Sequence, residues 1–209
     1  NVGDLYYLTM EYVAGESVKE VMERVGVGGT LLPSRVHSVA SQIADALLYA
    51  AQVRIVHRDV KPSNILIDGA GFARLCDLEL AKKIDEIDED GSDERIGGYL
   101  GTVPYMPLEQ VLDPETVDHR SDLYALGATM YGMLTGKKPF HGETRTEIVD
   151  RISAGDYPHP RDLGVTVPDA LWAVIEKAMR VMPEDRFQTA EELRQALRQV
   201  GIAHGWEKP

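Results

Sequence analysis

The chain has 209 residues, 44% of them hydrophobic and 27% charged, with a net charge of −12 and a pI near 4.9. That is enough for one large domain or two small ones, and the acidic balance disfavours a nucleic-acid partner, which needs a basic face. One cysteine, Cys76, excludes an internal disulfide and fits a reducing, cytoplasmic setting.

In chain order, "LYYLTMEYV" at 5–13 is rich in aromatic and β-branched residues and predicts a strand leading into a connector. "ESVKEVMERVG" predicts a short helix ended by the glycine-rich "GVGG". From about Pro33, Val36, Val39, Ala40, Ile43, Ala44, Leu47, Leu48 and Ala51 recur at helical spacing and make one apolar stripe. "RIV" and "NILI" read as short β-like runs on either side of the loop "HRDVKPSN", and "FARLCDL" as a third after the turn "GAG".

From Lys82 to Gly98 periodicity gives way to a charged, mainly acidic stretch that reads as a loop. Helices then resume. "SDLYALGATMYGMLTG" is apolar all round and belongs inside the protein, and its charge-free run from Leu123 to Gly136 is too short to span a bilayer. Two later helices open on capping boxes, Thr144 with Glu147 and Thr189 with Glu192, and Pro168 is placed to start the one between them. No repeat and no linker is visible. The start at Asn1 rather than Met suggests a piece of something longer.

The loop "HRDVKPSN" carries the chemistry. Asp59 is a candidate base for a hydroxyl, Lys61 a cation for a phosphoryl group in transit, and Asn64 an oxygen donor to a metal. Asp77 lies on the next strand pair, where a hairpin could return it beside Asn64. Asn and Asp oxygens suit Mg²⁺, and phosphoryl transfer needs this set of a positioned nucleophile, a metal and a mobile positive charge.

In this loop the chain resembles the eukaryotic-type Ser/Thr protein kinases, in flavour those of bacteria. "HRDVKPSN" matches the family's catalytic loop H-R-D-x-K-P-x-N in full. "MEYVAGES" is similar to the hinge that holds adenine, "CDLEL" sits where D-F-G belongs, and "GTVPYMPLE" where G-T-x-x-Y-x-A-P-E belongs. "HRSDLYALG" and "PEDRFQTAEEL" resemble the central helix and the closing motif.

The resemblance implies a mainly α, α+β protein-kinase-like fold, with residues 1–209 as the C-terminal lobe. Residues 1–13 would be the last small-lobe strand and hinge, and 77–109 the activation segment. It implies ATP and Mg²⁺ as cofactors and a protein Ser or Thr as acceptor. Asp59, Lys61 and Asn64 would be catalytic, with Asn64 and Asp77 on the metal. Met10 would be the gatekeeper, the backbones of Glu11 and Val13 would bond adenine, and Leu66 would lie beneath it. Arg58 would meet a phosphate on the activation segment, with Ser92 a candidate acceptor of it. Thr102 would stand near the catalytic Asp59, Asp122 would cap its helix and tie down the catalytic loop, and Glu109 would pair with Arg186.

Taken singly, these residues have blander readings: Asp59 as a turn aspartate, His57 and Cys76 as packing residues, Glu109 and Arg186 as surface charges. Departures from the family pattern keep a second reading open, a pseudokinase or docking module. No G-x-G-x-x-G occurs, D-F-G reads Asp77-Leu78-Glu79, and A-P-E reads Pro107-Leu108-Glu109. The missing small lobe would be a partner, without which ATP binding should be weak and the isolated chain inactive. The bare strand near 5–12 should pair with another copy or a neighbouring loop.

Overall fold

The computed structural model describes residues 11–25, 28–77 and 102–208. Met10, Glu79, Lys82, Lys83, Ser92 and most of the strand expected at 5–13 lie outside them. The described part of that strand, Glu11–Val13, is irregular chain, and Tyr12 on it is exposed.

Three short strands, β1 (Gly15–Ser17), β2 (Ile65–Asp68) and β3 (Ala73–Leu75), form one antiparallel sheet with β2 in the middle. Gly15 pairs with Asp68 and Ile65 with Leu75. A side chain at Gly15 would bring its Cβ to 2.0 Å from the Ile67 carbonyl oxygen, so only glycine fits there. "NILI" and "FARLCDL" thus each contribute a strand. "RIV" does not: Ile55 N–H bonds back to the Ala50 carbonyl at 2.9 Å and Arg54 takes φ 60°, which makes the segment the end of a helix rather than an extended run.

Helix α1 (Val18–Val25) follows β1 directly. Its capping box is Ser17 with Glu20: Ser17 N–H donates to Glu20 Oε2 at 2.7 Å and Glu20 N–H to Ser17 Oγ at 3.2 Å. Helix α2 (Pro33–Gln52) buries Val36, Val39, Ala40, Ile43, Ala44 and Leu47, the stripe its spacing predicts, with Leu48 and Ala51 at its half-buried edge. His37, off the stripe, is also buried, with Nε2 2.9 Å from the Leu197 carbonyl oxygen.

Helices α3 (Leu108–Leu112), α4 (His119–Thr135), α5 (Arg145–Ala154), α6 (Asp169–Ala178) and α7 (Ala190–Ala203) complete the described elements. Every residue of α4 from Ser121 to Thr135 is buried, as its all-round apolar character requires. Helix α2 packs on it from one side and α6 from another, and α7 lies along α2. Thr144 and Thr189 accept from Glu147 N–H and Glu192 N–H as a capping box requires, but each glutamate reaches back to the residue before the cap, Glu143 N–H and Gln188 N–H, and Pro168 occupies the cap position of α6 rather than its first turn. Among the described residues no helix is long and apolar enough to cross a membrane.

Candidate active site

The loop 57–64 runs from the end of α2 to β2, across the N-terminal end of α4. Asp122, in the first turn of α4, holds its backbone. One carboxylate oxygen accepts from His57 N–H at 2.7 Å and the other from Arg58 N–H at 2.8 Å. Asp122 was expected to cap its helix as well. That task falls to Asp118, which accepts from Arg120 N–H at 2.8 Å, because the cap must precede the first helical residue and Asp122 lies a turn inside. Burial pushes the Asp122 carboxyl up to about 6, against the pull of the two N–H groups.

Arg58 sits at φ 64°, a left-handed conformation that a side chain disfavours by about 1–2 kcal/mol. It is pinned from both ends, its N–H by Asp122 and its carbonyl by Gln110, whose amide donates to it at 2.6 Å. His57 is fully buried and links the loop to β3. Its Nδ1 accepts from Asp59 N–H at 3.3 Å, so Nε2 carries the proton and donates to the Cys76 carbonyl at 2.9 Å. Burial lowers its pKa and keeps it neutral. It is thus a packing histidine, as expected, with a bridging role added.

These restraints position the candidate set. Asp59 is buried, and its Oδ2 accepts from Lys61 Nζ at 2.8 Å and from Asn64 Nδ2 at 2.7 Å. Lys61 Nζ also donates to Thr102 Oγ1 at 2.9 Å, so Thr102 stands near Asp59 as expected. Asp59 Oδ1, equally buried, has no hydrogen-bond partner among the described residues. With Nδ2 committed to Asp59, the Asn64 amide is oriented, and among the described residues Oδ1 takes only the Ser63 hydroxyl at 3.0 Å.

Cys76 N–H donates to the Asn64 carbonyl at 2.9 Å, which puts Asp77 one residue from the Asn64 backbone. Asp77 is exposed at φ 67°, a conformation aspartate tolerates better than most residues. The Cys76 thiol is pushed up to about 11 by burial first and by Asp77 beside it, so it stays protonated and inert. An oriented amide oxygen and an exposed carboxylate on adjoining backbone are hard donors that fit Mg²⁺ with phosphate completing the shell.

Of the residues expected to contact adenine, Val13 and Leu66 are half-buried, and the Glu11 carboxylate pairs with Arg74 at 2.6 Å. At the base of the site Glu109 and Arg186 meet in a two-pronged pair at 2.6 and 2.9 Å, so the change to Pro107-Leu108 leaves this contact intact. Burial raises the Glu109 carboxyl, but the bonds and charge of Arg186 outweigh it and the net direction is down. Sequence reasoning missed Gln110, Asp118 and Ser17. A pattern search could have found the last through its glutamate three residues on; Gln110 carries no such signal.

The protein kinase domain family matches residues 2–197. The chain is 35% identical over 209 residues to serine/threonine-protein kinase PknB of Mycobacterium tuberculosis, covering 99% of this chain and 32% of the relative. It is 34% identical over 190 residues to serine/threonine-protein kinase PrkC of Bacillus subtilis, covering 91% of this chain and 28% of the relative. The chain therefore spans about a third of the length of the curated relatives it matches.

Proposed function

The chain belongs to the protein kinase domain family, and from that footing we propose that it carries the phosphotransfer residues of a Ser/Thr protein kinase. The γ-phosphoryl group of ATP would pass to a Ser or Thr hydroxyl of a protein. One observation carries the reading: Asp59 Oδ2 is doubly bonded by Lys61 and Asn64 while the buried Oδ1 has no partner among the described residues.

A carboxylate held this way is a fixed acceptor. An incoming hydroxyl would donate to Oδ1 and leave its proton there as its oxygen bonds the γ-phosphorus, while the bond from that phosphorus to the β–γ bridging oxygen breaks and ADP leaves. Lys61, shared between Asp59 and Thr102, supplies positive charge next to the transferring group. Asn64 Oδ1 and the Asp77 carboxylate would hold Mg²⁺, which neutralises phosphate charge when bound. Met10, Glu11, Val13 and Leu66 would contact adenine. The catalytic loop's hold on Asp122 keeps these groups in register without motion at the moment of transfer.

The test is γ-phosphate transfer from ATP and Mg²⁺ to a Ser/Thr substrate by the full-length protein, beside Asp59→Asn. Loss of general-base help predicts a fall of about 10²–10⁴-fold. Equal rates in the two proteins would remove Asp59 from the chemistry. The docking-module reading rests on Glu79 where a glycine belongs, since glutamate resists backbone angles that glycine permits. Tight nucleotide binding with no transfer by either protein would favour it.

A further inference from the structure

An open groove of about 580 Å³ is lined in part by Lys61, Pro62, Ser63 and Thr102. It shares Lys61 and Thr102 with the site above, and Lys61 in turn bonds the Asp59 carboxylate, so the groove lies one side chain from it. Its rim gathers Lys19 from α1 and Lys137 and Lys138 from the segment after α4. The sequence holds eight lysines, and four of them, Lys61 included, line this one groove of a chain whose net charge is −12. Among the described residues the single lining carboxylate is Glu23, which already faces Lys19 at 3.8 Å. Lys137 and Lys138 are exposed and make no ion pair with any described carboxylate.

The rim is built rather than incidental. Gly136 ends α4 at φ 69°, and a Cβ there would lie 1.2 Å from the Gly28 carbonyl oxygen, so the connection between α1 and α2 closes against the end of α4. Leu31 N–H donates to the Met133 carbonyl at 2.7 Å and fixes that closure. Lys137 N–H donates to Thr135 Oγ1 at 3.2 Å, which sets the direction in which the chain leaves the helix. Both lysine-bearing walls are thereby tied together beside the site.

We propose that this groove selects protein substrates whose Ser or Thr is flanked by Asp or Glu. The inference rests on the kinase reading for its location and adds the substrate class. Asp59 would repel an acidic segment, but Lys61 offsets its charge at 2.8 Å. That leaves Lys137 and Lys138, which have no described carboxylate partner, to face the substrate. Exposed lysine–carboxylate contacts are individually weak and salt-sensitive, so selectivity comes from several acting together.

The experiment uses the full-length protein and three peptides that share one acceptor Ser and differ only in flanks: Asp/Glu, Gln, or Lys. The acidic peptide is expected to exceed the Gln peptide by about 5–10-fold in kcat/KM, mostly through KM, with the margin shrinking as salt rises. Lys137→Glu/Lys138→Glu should reverse the order of the acidic and Lys-flanked peptides. Should that variant fail to fold by thermal melting, Lys137→Gln/Lys138→Gln should at least abolish the preference. In parallel, fluorescence anisotropy follows binding of an acidic peptide whose acceptor is Ala. Transfer to all three peptides at one rate overturns the groove and leaves the kinase reading standing. Binding that depends on Lys137 and Lys138, with no transfer to any peptide, supports the groove and overturns the kinase reading. Neither transfer nor lysine-dependent binding overturns both.

Discussion

Among the described residues, the buried polar clusters around Arg186 and around Asp59 are finished differently. Around Arg186 every donor is used: Nε reaches the Arg180 carbonyl at 2.7 Å, one terminal nitrogen takes Glu109 at 2.6 Å and the Arg120 carbonyl at 3.5 Å, and the other takes Glu109 at 2.9 Å and the Val181 carbonyl at 2.7 Å. The guanidinium also lies over the Tyr124 ring, 4.8 Å from its centroid. Around Asp59 one oxygen is doubly bonded and the other has no described partner. An unsatisfied buried acceptor costs about 1–3 kcal/mol. A fold keeps such a cost where an outside group completes the bonding. The closed cluster therefore reads as architecture and the open one as a place for substrate.

The contrast is broken most directly by swapping what each cluster loses. Asp59→Asn should lower phosphate transfer by about 10²–10⁴-fold while leaving stability within about 1 kcal/mol of the parent, because removing a costly charge offsets the lost bonds. Arg186→Ala should do the reverse in kind: it strands Glu109 without its partner and should cost about 3–5 kcal/mol of unfolding free energy in urea titrations. A stability loss for Asp59→Asn as large as that for Arg186→Ala would mean both clusters are architectural.

Much of the open cluster was legible in the sequence because its residues share one octet. Asp59, Lys61 and Asn64 fall within six positions, and their convergence needs only a tight loop. The closed cluster was legible through the resemblance alone, since Glu109 and Arg186 are 77 residues apart. The helices were read well where one face or every face is apolar, as in α2 and α4. The strands were read less well. β1 is Gly15–Ser17, a three-residue stretch with no alternation, and it exists because β2 offers it an edge. "RIV" has β-forming residues, but the chain is still unwinding from α2 there, and tertiary context overrides propensity. His37 and Gln110 were invisible because their partners are backbone carbonyls, which leave no mark on sequence.

Acid titration sharpens the comparison further, because the two clusters' carboxyls respond to pH in opposite senses. Glu109 is held below its ordinary 4.5, so its contribution is full above that value and is lost as pH falls through the folded value. Asp122, which holds the open cluster's backbone, is raised from 3.8 to about 6. Its folded form retains a proton that the unfolded chain gives up, so its contribution is full below 3.8 and is lost as pH rises through about 6. The loss amounts to about 2–3 kcal/mol. Urea titrations between about pH 4 and 6 should show that decline in the parent and a flatter profile in Asp122→Asn. An unchanged slope in the variant would assign the decline to other groups.

The smallest expected effect separates strain that serves the site from strain that does not. Arg54 and Arg58 both sit in the left-handed region, at φ 60° and 64°. Arg54 is an exposed residue in the turn that ends α2, and its N–H merely closes that turn on the Ala51 carbonyl at 3.1 Å. Arg58 is held by Asp122 and Gln110 within the open cluster. Glycine relieves about 1–2 kcal/mol of conformational strain at either place and returns about 0.5–1 kcal/mol as extra freedom of the unfolded chain. Arg54→Gly should therefore raise stability by under about 1 kcal/mol with transfer unaltered. Arg58→Gly should change stability as little, because both of its bonds are made by backbone atoms, yet lower transfer, because glycine loosens the loop that aims Asp59. If both variants keep full transfer, the conformation at Arg58 is a by-product of the turn and plays no part in setting the base.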